Sequence, residues 1–362
     1  MFTFVKVCLC LSAVVCSLCG QSQSAEVESQ QISPVKPLYL YSHFRDDDLG
    51  HLRLSYSGNA GNWQEVNPQG SVSASAMRDP SVIYDPDSAT FYFIVTPPPG
   101  QTTVQFFSST DLVTFSRIKL IDMASYVPGA VTAWAPEWWH DLQTGEYYFF
   151  LSISTAPDGR TSSTAAMTPY LVPFDPVAGE VAGSVKSVPL QGTTQSRTFD
   201  FFPYFDGRQY YLFYVDQQPG GTAGNVTQPI SFATSPKLEG PYTQQTVPGT
   251  DYFGLGTFQS EAPTLIRLGQ TDCVRIIFDT WVDAPVSAGS DDLAAGRQYK
   301  PVFRDSCTNS GALFSQTSLV HGPKPLQIVA SEHGTIIALT DPSLAAIVLN
   351  AAALVKATNT GQ

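Results

Sequence analysis

The stretch "VQFFSSTDLVTF", Val104–Phe115, is an alternating strand that runs into a serine-led turn and ends on an aromatic. "LRLSYSGNAGNW" (Leu52–Trp63) and "ISFATSPKLEGPY" (Ile230–Tyr242) have the same form. Period-two alternation makes each run a strand, and the Ser, Asn, Asp, Gly and Pro that follow make a turn. A unit recurring at roughly 40–60 residues is the mark of a propeller blade of four strands. An array of β-sandwiches would account for the strands but not for the recurrence.

Between these units the chain stays strand-like. "TFYFIVT", "EYYFFLSIS", "RQYYLFYVD" and "CVRIIFDTW" are rich in β-branched and aromatic residues, and "DPDS", "TPPPG", "TAPDG" and "QQPGG" punctuate them. The 27 glycines and 27 prolines suit so many turns. Helical periodicity is confined to "DPSLAAIVLNAAALVKAT", Asp341–Thr358, read as a final strand plus a short helix. The expected fold is all-β, one propeller over residues 37–350. Roughly 325 residues leave room for about five to seven blades at this repeat length.

The N-terminus has Lys6 and then an apolar run, Val7–Cys19, too short to cross a bilayer. It reads as a secretory signal peptide over residues 1–20, cleaved between Cys19 and Ala25, with a polar, disordered lead-in over 21–36. The protein is therefore expected to be secreted. Cys8, Cys10, Cys16 and Cys19 leave with the signal, so Cys273 and Cys307 remain. In an oxidising compartment they are candidates for one disulfide; two separate buried thiols are the alternative. Asn225 opens the glycosylation sequon "NVT". A net charge of −12 argues against a nucleic-acid partner, because phosphate needs a basic face. No other stretch is long and apolar enough to read as a membrane helix. Neutral polysaccharides stay compatible.

Three of the five tryptophans, Trp134, Trp138 and Trp139, crowd around Glu137 in "TAWAPEWWHD". Indole beside carboxylate suits a sugar site, since ring faces stack on C–H faces; an aromatic-rich core strand is the alternative. Asp79 in "MRDPSVIYD", Asp200 in "TFDFFPYFDG" and Glu261 in "SEAPTLIRLG" each stand at the entry to an apolar strand. If those are innermost strands, the three carboxylates converge on one channel mouth. Such a set suits glycosidic hydrolysis, which needs a protonated acid for the leaving oxygen and an ionised base for water; a third carboxylate nearby can raise the acid's pKa by like charge and orient it. Turn-capping acids alone could produce the same pattern.

Together "RDPSVI" (Arg78–Ile83), "WAPE" (Trp134–Glu137), "FDFFPYFDGRQYYLFY" (Phe199–Tyr214) and "SEAPTLIR" (Ser260–Arg267) resemble the ordered signature of glycoside hydrolase family 43. That family comprises five-bladed β-propeller arabinofuranosidases, arabinanases and xylosidases. "SHFRDDDLGHLRLSYS", "SSTDLVTF" and "SEHGTIIAL" are similar to one secreted, arabinosidase-like branch of it. The resemblance spans roughly residues 38–345 and implies five blades. It implies Asp79 as general base, Asp200 as pKa modulator and Glu261 as general acid, acting by inversion without a required cofactor. Arg78 would hold the base ionised, or form a surface salt bridge instead. Trp134 would be the sugar platform, with Glu137 supporting the pocket. His333 would bond substrate or help to hold a hydrated, structural calcium, or be a structural residue only.

The sequence departs from the family where Glu-Gly-Pro becomes Glu261-Ala262-Pro263, where Glu332 precedes His333, and where Phe201-Phe202 follow Asp200. These changes are expected to crowd the sugar and give a narrower, drier pocket. The expected activity is a monomeric, secreted inverting glycosidase acting on α-L-arabinofuranosyl linkages of plant cell-wall arabinan or arabinoxylan. The alternatives are a β-xylosidase of the same fold and a carbohydrate-binding propeller without catalysis. A fructan hydrolase fits poorly, because "FRDDDLG" supplies no Asn-Asp-Pro-Asn nucleophile segment; Asp46–Asp48 remain a minor alternative source of the base.

Overall fold

The computed structural model describes residues 36–360 apart from 46–47, 73–76, 99, 158–165, 194–196, 218–227, 248–249, 256–258, 270, 282–298 and 329–331. The signal peptide, residues 21–35 of the lead-in, Asp46, Asp47 and the Asn225 sequon lie outside the described residues.

The strands form five separate blades, antiparallel except where β13 pairs with β17, each with one strand innermost. Blade one holds β1 (Leu38–Arg45), β2 (Asp48–Ser57) and β3 (Gln64–Glu65). Blade two holds β4 (Arg78–Asp85), β5 (Thr90–Thr96), β6 (Thr103–Ser109) and β7 (Ser116–Asp122). Blade three is β8 (Thr132–Asp141), β9 (Glu146–Ser154) and β10 (Thr168–Asp175), edged by β11 (Glu180–Val181) and β12 (Lys186–Ser187). Blade four is β13 (Leu190–Gln191), β14 (Arg197–Phe205), β15 (Tyr210–Gln217), β16 (Ile230–Ser235) and β17 (Tyr242–Gln244). Blade five is β18 (Gln259–Arg267), β19 (Cys273–Trp281), β20 (Tyr299–Cys307) and β21 (Leu319–Pro325). The last strand, β22 (Glu332–Leu339), returns to pair with β1, setting Ile336 opposite Tyr41. Blade one is thus built from both ends of the domain, which closes the ring. The inner strands β22, β4, β8, β14 and β18 touch in cyclic order around one axis.

Five hydrophobic clusters fill the five junctions between blades. This explains the continuous apolar runs. In β5, Phe91, Phe93 and Val95 face blade one while Tyr92 and Ile94 face blade three. A blade is buried on both faces, so its middle strands cannot alternate apolar with polar.

The serine-led repeat marks the turn from the third to the fourth strand of a blade. Ser109 Oγ accepts the Leu112 N–H at 2.8 Å, and Asp111 takes the next two amides. Ser57 and Asn59 do the same after β2, and Ser235 caps the turn after β16. Blade five carries a longer version that the sequence pattern hid: Ser306 Oγ accepts the Phe314 N–H at 2.8 Å.

The C-terminal segment corrects one expectation. Pro342–Thr360 is one helix of 19 residues, α1, not a strand plus a short helix. Asp341 caps it by accepting the Ser343 N–H at 2.8 Å, Pro342 suits the first turn, and the alanines favour helix. The helix runs through residue 350 and buries Val348, Ala351 and Ala352 against blades one and two, so the domain extends beyond 350. Cys273 and Cys307 face each other across β19 and β20 and form a disulfide with Cα atoms 4.1 Å apart.

Candidate active site

Every inner strand carries the same irregularity near its start. In each, two residues oppose one on the neighbouring strand: Asp79-Pro80, Ala135-Pro136, Asp200-Phe201, Ala262-Pro263 and His333-Gly334. These are β-bulges, which turn a side chain out of the ladder and re-aim it. Asp79, Ala135, Asp200 and Ala262 hold left-handed φ values of 47°, 49°, 55° and 54°. At Gly334 a Cβ would lie 1.7 Å from the Ser42 carbonyl oxygen, so only glycine lets β22 pass β1 there. Five-fold repetition of the bulge brings Asp79, Asp200 and His333 to equivalent positions around one axis. Glu261 stands one residue before its bulge, as do Arg78 and Trp134 before theirs.

His333 occupies the middle of the cluster. Its Nδ1 lies 3.3 Å from Asp79 and 3.8 Å from Asp200, and its Nε2 lies 3.5 Å from Glu137. All four side chains are buried, Glu137 to 1% exposure. Burial disfavours the imidazolium, but the charges of Asp79 and Asp200 and the bonds to Asp79 and Glu137 outweigh it and raise His333 well above its ordinary value. Burial likewise pushes Asp79 up. The charges of His333 and Arg78, with hydrogen bonds from His333 and Thr96, win and hold it down at about 2. Asp200 moves the other way: burial and the charge of Asp79 raise it against His333, the Ala262 N–H and Arg197. Burial and the charges of Asp200, Asp279 and Asp79 push Glu261 up to about 8 against His333. Glu261 keeps partial exposure. At neutral pH the cluster therefore sets an ionised Asp79 against a protonated Glu261.

Beneath it lies a layer of hydroxyls. Ser81 Oγ donates to Glu137 at 2.9 Å and accepts the Trp138 N–H at 2.9 Å, and Thr335 also bonds Glu137 and Ser81. A second set ties blade to blade. Thr96 Oγ1 accepts the Ala135 N–H at 2.8 Å, and Ser152 Oγ accepts the Asp200 N–H at 3.1 Å. Asp279 accepts the His333 N–H. Between blades four and five the matching residue is Val215, which has no acceptor; Asp200 itself takes the Ala262 N–H at 3.2 Å. Sequence reasoning missed Thr96, Ser152 and Asp279. Their common sign is a polar residue closing the apolar run of a second strand, as in "FYFIVT", "FFLS" and "IIFD".

The tryptophans separate. Trp138 packs in the junction of blades two and three, edge-on to Phe106, Phe149 and Phe174. Trp139 meets Tyr210 in the next junction. Trp134 alone stands one residue before a bulge, partly exposed, with the Arg197 guanidinium 4.9 Å from its ring centre. Phe201 and Phe202 do not narrow the pocket as expected. Phe201 is fully buried between blades three and four, and Phe202 between blades four and five. Asp48, the first residue of β2, is held by His51 and Arg53. Calcium held through His333 does not fit this arrangement. The ion prefers oxygen ligands, and both ring nitrogens face carboxylates as donors. Among the described residues no group of three or more acidic, histidine or cysteine side chains has a metal-holding arrangement.

Comparison with known proteins supports the same fold. Crystal structures of a mutant of the GH43 protein BlXynB from Bacillus licheniformis and of xylan beta-1,4-xylosidase from Bacillus halodurans superpose with TM-scores of 0.54 and 0.55 at 14% and 16% identity. They cover 83% and 82% of this chain, which spans 55% of each of theirs. Endo-1,4-beta-xylanase from Bacteroides thetaiotaomicron gives a TM-score of 0.55 at 12% identity, covering 82% of this chain and 93% of its own. No curated protein matches the chain in sequence. The model of a glycoside hydrolase family 43-related family, described as a "Probable glycosyl hydrolase domain", matches residues 36–343, and the chain belongs to that family.

Proposed function

We propose that the protein is a secreted, monomeric, inverting glycosidase that removes α-L-arabinofuranosyl groups from plant cell-wall polysaccharides. The observation that carries this reading is the opposite displacement of Asp79 and Glu261 within one cluster, one held ionised and the other protonated. A pair of carboxyl groups pushed apart in this way is suited to base and acid work. Glu261 gives its proton to the leaving glycosidic oxygen as the bond to the anomeric carbon breaks. Asp79 takes a proton from the water whose oxygen forms the new bond, from the opposite face of the sugar. Asp200 keeps Glu261 protonated by like charge. Trp134 offers the sugar an indole face, Arg78 and His333 keep Asp79 ionised, and Glu137 holds His333. The disulfide supports export, because such bonds persist in oxidising compartments.

The test is hydrolysis of aryl α-L-arabinofuranoside and aryl β-xyloside by wild type and Glu261→Ala. Wild type should release aryl alcohol from the arabinoside at the higher rate and give the inverted sugar. Equal activity in both proteins on an arabinoside with a poorly activated leaving group would refute the acid; faster xyloside cleavage would replace the arabinosyl assignment.

A further inference from the structure

We propose that Asp279 is a positioning residue with two tasks: it pins the backbone of His333 across the junction of blades five and one, and its negative charge keeps the carboxyl of Glu261 protonated for acid work. The inference rests on the glycosidase reading for what the proton is used for, but not for where the proton sits.

The argument starts from the repetition of the blades. At two other junctions the amide of the first bulge residue is accepted by a hydroxyl, Thr96 for Ala135 and Ser152 for Asp200. Each of these acceptors lies opposite the residue before its own blade's bulge, Arg78 and Trp134 respectively. Asp279 holds the same place opposite Glu261 and accepts the His333 N–H. A hydroxyl therefore suffices for the tie. A carboxylate is used where the residue opposite is itself an acid. Directly opposite residues share a face of the sheet with Cβ atoms about 4.5–5.5 Å apart, and like charges there are destabilising. Asp279 is buried to 2% exposure, so solvent does little to relieve the repulsion.

The system escapes by leaving Glu261 protonated. Among the described residues, the charges that act most on Glu261 are those of Asp279 from β19, Asp200 from β14, Asp79 from β4 and His333 from β22. The imidazolium opposes the carboxylates, and it is spent mainly on Asp79, Glu137 and Asp200, the three it touches. Asp279 holds that imidazolium by its main chain, so one side chain sets both the acid and the cation that orders its neighbours.

The test is Asp279→Asn, which keeps an oxygen for the His333 N–H and removes the charge. The protonated carboxyl of Glu261 is followed by its infrared C=O band, assigned by loss in Glu261→Gln, while the pH is raised. In Asp279→Asn the midpoint should fall by roughly one unit, a tenfold smaller protonated fraction above it. The basic limb of kcat/KM on the aryl glycoside should move with it. An unmoved band in a folded variant overturns the proposal and leaves Asp279 a structural tie. If Asp279→Asn does not fold, Asp279→Ser, which copies the tie of Ser152, gives the same readout. Should wild type cleave neither glycoside while the band still shifts, the positioning role stands and the glycosidase reading fails.

Discussion

Nδ1 of His333 lies 3.3 Å from Oδ1 of Asp79, across the closure between the last strand and the first strand of blade two. A buried carboxylate would ordinarily hold its proton; this one is ionised because a buried cation faces it. The first prediction follows from that pair. His333→Gln removes the cation, so Asp79 should rise from about 2 and the acid limb of kcat/KM should move to higher pH. For stability the sign is that of a depressed acid. The wild-type contribution is complete above the ordinary value of 3.8 and is lost as pH falls towards about 2. His333 contributes in the opposite sense: its raised value gives stability below 6.5 that is lost as pH rises through the folded-state value. Rate profiles and thermal melts across pH check both. An unchanged acid limb in a folded His333→Gln protein would remove His333 from the control of Asp79.

Loss of the acid should depend on the leaving group. Glu261→Gln should cost about 10²–10⁴-fold on a poor alcohol leaving group and much less on an activated aryl group that departs unassisted. Asp79→Asn should cost a similar factor on both, because water must be activated in either case. Steady-state rates on a series of aryl glycosides separate the two patterns.

Ala262 sits at φ 54° with its amide tied to Asp200. A left-handed alanine costs roughly 1–2 kcal/mol, part of which glycine returns as entropy of the unfolded chain. Ala262→Gly should therefore raise stability by about 0–1 kcal/mol without loss of activity. A drop in melting temperature beyond that range would show that the methyl packs to advantage.

Cys273 and Cys307 close a loop of sequence separation 34 between neighbouring strands. Replacing both by serine should lower stability by about 3–4 kcal/mol on the loop-entropy scale. Denaturant melts of the folded variant, with and without reductant, measure it; reductant should affect wild type alone.

Much of this was legible in the chain. The serine-led turn repeats because each blade must make the same third-to-fourth-strand reversal with the same local hydrogen bonds, and local bonds leave local sequence. Asp79, Asp200 and Glu261 could be picked out because each breaks an apolar inner strand at its start. What misled was side-chain direction. Phe201 is the second residue of a bulge and Phe202 follows it, and both are sent into blade junctions instead of the channel. The alanine-rich end read as part strand because short apolar runs do not distinguish the two periods.

The sequence by itself determined the blade repeat, the three carboxylates at the entries to inner strands and the two cysteines left as candidates for a bond, since each depends on residue type and spacing along the chain. Only the tertiary structure decided that the five bulges come into register around one axis, that His333 falls between Asp79, Asp200 and Glu137, and that Asp279 lies opposite Glu261. Those relations join strands far apart in sequence. Their effects on protonation arise from burial and from charges brought within a few ångströms, which no single stretch of chain contains.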